Sequence, residues 1–162
     1  MPKETKLFKK TYSNGKTMKI AIASDHAGFN YKQEIIRYLE DKNYTLINFG
    51  TASAESVDYP DYIKPAAIAV AKGNCDLGIV LGGSGNGEAI AANKIKGIRC
   101  AVVWNQESAQ LAKEHNNANM ISIGERMMPL SEVLKAIDLW LSTQFEGGRH
   151  TRRIEKIEQD YA

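Results

Sequence analysis

The stretch LGGSGNGEAIAANK, residues 81–94, sets a carboxylate, Glu88, directly behind Gly82, Gly83, Gly85 and Gly87. Amides of Gly83, Ser84, Gly85, Asn86 and Gly87 can surround an oxyanion, and a carboxylate in the first turn of a following helix is a candidate general base. The helix terminus lowers the pKa of such a group, whereas burial by substrate raises it toward the range that suits proton abstraction. Nucleotide motifs do not fit. Gly82 and Gly87 have P-loop spacing, but Glu88 and Ala89 stand where lysine and a hydroxyl residue are required; a G-x-G-x-x-G frame from Gly83 and Gly85 puts Glu88 at the third glycine. A fixed carboxylate there also repels phosphate. The plainer reading is a glycine-rich turn in which Glu88 only satisfies the helix start.

Three further groups could do chemistry. Asp25 and His26, in SDHAG, could hold hydroxyls or phosphate, unless Asp25 merely caps the next helix. His115, in EHNN with Asn116, falls at a helix end, where the dipole favours an imidazolium and hence a proton donor, although taken alone the motif reads as a surface histidine before an asparagine C-cap. Arg149, Arg152 and Arg153 share a helix face at i, i+3 and i+4; such like charges repel unless an anion joins them, and arginine forks suit phosphate oxygens. Arg126, in IGER, could add to this clamp. Base, acid, amide cradle and clamp together fit proton transfer on a phosphorylated sugar, with an enediolate stabilised by amides. Metal chemistry fits poorly, because His26, His115 and His150 show no ligand spacing, and Cys75 and Cys100 form no CxxC pair.

These residues need elements to position them. MKIAIAS, TLINF, DLGIVLGG, IRCAVVW and NMISIG are short runs rich in Ile, Val or Leu and predict strands. Between and after them lie the helical patterns FNYKQEIIRYLEDK, YIKPAAIAVAKG, GEAIAANK, QESAQLAKEHNN, SEVLKAIDLWLSTQF (with Ser131 as N-cap) and HTRRIEKIEQDY. The alternation predicts a three-layer, doubly wound α/β fold of the Rossmann or flavodoxin kind, with a five-stranded parallel sheet in the order 2-1-3-4-5 and a C-terminal helix. In that order the first and third strands are neighbours, and their exits are SDHAGF and GGSGNGE.

At 162 residues the chain is long enough for one domain with a real core, and its +2 charge argues neither for nor against nucleic acid. Five lysines and one glutamate give residues 1–17 a charge of +4, leaving −2 for the rest. We expect a basic, flexible or edge-packed extension over 1–17 and a single domain over 18–162; a nucleic-acid-binding arm is the alternative. No apolar run reaches the length of a membrane span and no signal peptide opens the chain, so a cytoplasmic protein with reduced thiols is expected.

Taken together, SDHAGF, the Tyr59 of VDYP, GGSGNGEAIAANK, EHNNAN, IGER and RHTRRI resemble the ribose-5-phosphate isomerase B family, which includes galactose-6-phosphate isomerase subunits; the likeness spans about Met18 to Tyr161. The resemblance implies an aldose–ketose isomerase of the pentose phosphate pathway that needs no metal or cofactor and binds neither nucleic acid nor membrane. It also implies a homodimer or homotetramer with sites at the subunit interface. By position, Glu88 is the base moving the proton between C1 and C2, and His115 assists furanose opening. Asp25, His26 and Tyr59 line the sugar, while Gly83, Ser84, Gly85, Asn86 and Gly87 hold the enediolate oxygens. Asn116, Arg126, Arg149 and Arg153 reach in from the partner. One branch of the family has a cysteine base where this chain has Gly82, which implies that neither Cys75 nor Cys100 is catalytic. A six-carbon aldose phosphate remains the alternative substrate, and a nucleotide- or flavin-binding regulatory module the alternative from another class.

Overall fold

A computed structural model of the chain describes Thr11 and residues 15–160. Most of the basic 1–17 segment lies outside the described residues; within the described part, Thr17 bridges Thr11 and Lys16 pairs with Asp76 at 3.1 Å.

Five parallel strands form the sheet: β1 (Lys19–Ser24), β2 (Thr45–Asn48), β3 (Leu77–Gly82), β4 (Cys100–Val103) and β5 (Met120–Gly124). The helices are α1 (Phe29–Asp41), α2 (Pro60–Ala71), α3 (Asn86–Asn93), α4 (Gln106–Asn116), α5 (Leu130–Ser142) and α6 (Arg149–Glu158), with a 3-10 turn at His26–Gly28. The period-2 alternation of the central strands divides the core in two. Ile20, Ile22, Ile79, Leu81, Ile121 and Ile123 face one cluster, built with Ile35 and Leu39 of α1, Ala109 of α4 and Val133, Ile137 and Trp140 of α5. Ala21, Ala23, Val80 and Met120 face the other, built with Ile63, Ala67 and Val70 of α2 and Ala89 and Ala92 of α3. Both faces are therefore covered, as a parallel sheet requires.

The strand order is β2-β1-β3-β5-β4, so the expected order holds except that the last two strands exchange places. Burial gives the reason. Every residue of β5 is buried, whereas the middle of β4, Ala101 and Val102, is half-exposed and suits an edge. Chain neighbours pair only about two-thirds of the time, and here burial overrides chain order. The exchange sets the exits of β1, β3 and β5 side by side. A smaller difference concerns α5, which starts at Leu130 behind Pro129; Ser131 lies in its first turn and is not the cap.

Gly28 lets the β1 exit pack on β3. A β-carbon there would lie 2.7 Å from the carbonyl carbon and Cβ of Leu81 and 2.9 Å from the Gly82 nitrogen, all atoms of a central strand that cannot yield. Gly28→Ala is expected to lower stability by roughly 1–3 kcal/mol, the usual cost of overpacking, read as a fall in the urea midpoint. An unchanged midpoint would contradict this packing.

Candidate active site

Beyond the carboxyl ends of β1, β3 and β5, three loops are tied together by backbone. The Asp25 amide donates to Leu81 O at 3.4 Å, Glu125 N–H to Gly82 O at 2.8 Å, and Arg126 N–H to Gly83 O at 3.1 Å. Gly85 precedes α3 with φ +83°, and Ser122 Oγ donates to its carbonyl at 2.6 Å. The glycine-rich loop is therefore anchored on β5 as well as β3. The first amides of α3 have no acceptor within the helix, as at any helix start.

Glu88 turns back from that first turn over the end of β3. It is only 4% exposed, and a β-carbon on Gly82 would fall inside its carboxylate. Burial, with a smaller push from Asp25, raises its pKa above the ordinary carboxylate value against the opposing pull of its own backbone N–H. Burial by the fold itself, without substrate, is the larger influence. The glycine at 82 and the glutamate at 88 thus depend on each other, since a side chain at 82 would claim the space that holds the carboxylate.

Around this carboxylate stand the other residues of the upper edge. Asp25 Oδ1 accepts the amides of Ala27 and Gly28 at 2.9 and 3.2 Å, so the capping role is present. His26 Nδ1 accepts the Val57 N–H at 3.2 Å, which leaves the proton of the neutral ring on Nε2, able to donate. Tyr59 lies against Gly87: a β-carbon there would approach its ring to 2.7 Å. The Ser84 hydroxyl accepts the Asn86 N–H at 3.2 Å. Arg126 reaches over Gly83, where a β-carbon would lie 2.9 Å from its guanidinium. Within the chain Arg126 therefore lies over the glycine loop and apart from the C-terminal arginines, a position that follows from β5 lying next to β3.

Lys32 was not foreseen. It is fully buried, its pKa is lowered by burial, and its ammonium donates to Thr51 O at 2.6 Å and Asn48 Oδ1 at 2.9 Å. Thr51 N–H in turn donates to Ser24 O at 2.8 Å, so Lys32 braces the backbone beside Asp25. Nothing in FNYKQEII sets it apart from a surface lysine.

The remaining expected residues lie at the opposite edge of the sheet. His115 and Asn116 end α4 just ahead of β5, whose first residue Met120 pairs with Gly78 near the start of β3. Arg99, just before β4, binds Asn116 O at 2.9 Å and Asn117 O at 3.0 Å. His150, the second residue of α6, stacks on His115 with centroids 4.3 Å apart and planes 15° apart, and its Nε2 lies 3.0 Å from Glu146 Oε2. The fold thus brings His115 to the Glu146–His150 pair, with the ligand-type atoms of the three within 4.8 Å of one another. Arg149, Arg152 and Arg153 are exposed on the same helix and form no ion pair among the described residues. The two cysteines are buried; burial raises the Cys75 thiol, and burial followed by the Glu88 charge pushes Cys100 up to about 12, so neither is a ready nucleophile.

One result follows from the mutual fit of residues 82 and 88. The nearest atoms that a β-carbon at 82 would meet are those of the Glu88 carboxylate, the far end of a flexible side chain, so Gly82→Ala should fold with nearly wild-type thermal stability. Displacing the carboxylate should cut turnover by about 10²-fold or more, the worth of a positioned base. Retained turnover would contradict the placement of Glu88.

The ribose/galactose isomerase family model matches residues 20–157. Ribose-5-phosphate isomerase B of Mycolicibacterium paratuberculosis is 48% identical over 85% of this chain and 88% of that protein, and that of Escherichia coli is 45% identical over 86% and 93%. Ribose-5-phosphate isomerase B of Clostridium thermocellum superimposes with a TM-score of 0.86 at 50% identity, covering 87% of this chain and 95% of that one. The Mycoplasma genitalium enzyme, solved with bound ribulose-5-phosphate, gives 0.84 at 40% identity, with coverages of 87% and 94%. With the fold, the Glu88 cradle and these matches in agreement, the chain belongs to the ribose/galactose isomerase family.

Proposed function

We propose that the protein interconverts D-ribose 5-phosphate and D-ribulose 5-phosphate by moving one proton between C2 and C1 through a cis-enediolate. The observation that carries this reading is Glu88, buried against Gly82 with a raised pKa, one residue beyond a glycine loop whose amides, apart from the Asn86 N–H held by the Ser84 hydroxyl, can face an oxyanion. Glu88 takes the C2 proton of the open-chain aldose. The electron pair moves into a C1–C2 double bond while the C1 carbonyl oxygen gains charge beside the 83–87 amides. Glu88 then returns the proton to C1, while the O2 hydroxyl proton passes to O1, so that O2 becomes the ketone oxygen and O1 the C1 hydroxyl. His26 Nε2–H and the Tyr59 hydroxyl are placed to bind hydroxyls, and Arg126 adds positive charge to the cradle. The ribulose-5-phosphate held by the Mycoplasma genitalium relative supports a pentose phosphate as substrate.

Two copies complete one site. His115, Asn116, Arg149 and Arg153 lie a strand's length from Glu88, about 16 Å at about 3.3 Å per residue, too far for one chain to apply both sets to one pentose phosphate. An apolar face along the open edge joins the two ends. It includes Ile90, Trp104 and Ile157, which are 62%, 65% and 59% exposed. A hollow of about 480 Å³ runs along it from Asn86 to Asn93 beside Cys100 and Val102, and another of about 340 Å³ continues to Asn116 and Ile157. A second copy related by a two-fold axis covers this face and sets its His115 edge against the Glu88 edge of the first. In this arrangement Arg149 and Arg153 hold the phosphate, and His115 moves a proton from the O1 hydroxyl to the ring oxygen as the furanose opens. Soluble homodimeric or larger assemblies of this kind need no membrane, and among the described residues no helix is long and apolar enough to cross one.

Glu88→Gln keeps the shape and removes the basic oxygen, so turnover and C2 proton exchange with deuterated solvent should fall together, by roughly 10²- to 10⁴-fold. In the wild type the acidic limb of kcat/KM should lie above about 4.3, the ordinary glutamate value, and vanish in the variant. Stability should move the other way. A folded pKa above the unfolded one means that the folded chain holds the extra proton between the two values, so stability falls as pH rises through that window. Glu88→Gln should therefore melt higher than wild type at pH 7, with the gap closing below the unfolded pKa. Wild-type exchange in the variant would remove Glu88 from the mechanism.

A further inference from the structure

We propose that Glu146 and His150 are positioning residues that fix the ring plane of His115 for furanose opening; this rests on the ring-opening reading above. His115 lies in the last turn of α4, where no hydrogen bond among the described residues holds its ring. His150 supplies the constraint: it is 6% exposed and stacks on His115 at 4.3 Å with planes 15° apart. The His150 ring is itself held, because Nε2 lies 3.0 Å from Glu146 Oε2, so that a proton on Nε2 is donated to the carboxylate. Glu146 is tied to the helix that carries His115 through its N–H, which donates to Glu114 O at 3.0 Å. Gly147 and Gly148, at φ +70° and +57°, turn the chain between them so that the Glu146 carboxylate meets a ring four residues on, outside any shared helix. The loop from Glu146 to His150 closes on α4 at both ends, through a hydrogen bond and a stacked ring.

The same three residues form a poor metal site. An ion must lie in the plane of each imidazole, about 2.0–2.1 Å from its nitrogen, and two nearly parallel stacked rings cannot both meet that condition. His150 Nε2 is also engaged by Glu146. What the arrangement does supply is orientation, which a proton shuttle needs. Opening the furanose removes a proton from the O1 hydroxyl, forms the C1–O1 carbonyl, breaks the bond from C1 to the ring oxygen and protonates that oxygen. A ring free to swing would meet both oxygens only part of the time.

Ribulose 5-phosphate separates this step from the rest, because its C5 oxygen is esterified and it reaches the enzyme as an open chain. Two rates should be measured for His115→Asn, Glu146→Gln and His150→Asn, each first shown to melt cooperatively. One is turnover of ribose 5-phosphate; the other is exchange of a C1 proton of ribulose 5-phosphate with deuterated solvent. All three variants should lose about 10-fold or more in the first while keeping the second within about 3-fold, with His115→Asn affected most. If His115→Asn shows this split and the other two do not, the positioning role is overturned and the ring-opening reading survives. Should His115→Asn itself lose both rates equally, the ring-opening reading falls and the proposal with it. A His150→Asn variant with KM raised equally for both sugars would make His150 a phosphate ligand and would also overturn the proposal.

Discussion

A parallel sheet has two unlike ends, and a single chain cannot fold one onto the other. The residues that can do chemistry here are divided between those ends. The carboxyl edge gathers Asp25, His26, Tyr59, Glu88 and Arg126 around a glycine loop, while the amino edge gathers His115, Asn116, His150 and the α6 arginines. Under the reading proposed here, catalysis depends on how copies of the chain meet. The exposed Ile90 and Trp104 beside the open strand β4 then belong to the machinery as much as the base does.

At the carboxyl edge the central problem is to keep a carboxylate dry, charged and basic. The fold meets it by omission: Gly82 has no side chain, and Glu88 occupies the space left free. Desolvation raises its pKa, and under the proposed mechanism the environment that makes Glu88 a better base also accepts the enediolate charge. The cost is a buried charge near neutral pH, a common exchange of stability for function. At the amino edge the problem is orientation, and stacking with a carboxylate-held ring meets it.

Much of this was legible in the chain. The five strands stand out because Ile, Val and Leu runs buried on two faces leave no polar alternation, and the glycine loop because its glutamate excludes nucleotide motifs. What was missed depends on tertiary burial. The pairing of β5 with β3 turns on the partial exposure of β4, which chain order does not encode, and with it went the position of Arg126. Lys32 has helical spacing and ordinary neighbours, so only the fold shows that its ammonium is buried on Thr51. The contacts of His150 with Glu146 and His115 escaped notice because two glycines with positive φ bring the first pair together and the second spans 35 positions of chain.

The division of the site between copies is tested most directly by mixing two inactive proteins, Glu88→Gln and Arg153→Ala, under conditions where subunits exchange. In a hybrid dimer one site receives both lesions and the other receives neither. Equal mixing should therefore restore about one quarter of wild-type activity, since half the dimers are hybrids with one sound site each. No recovery, with exchange demonstrated by a labelled subunit, would place both residues in one chain's site and contradict the account.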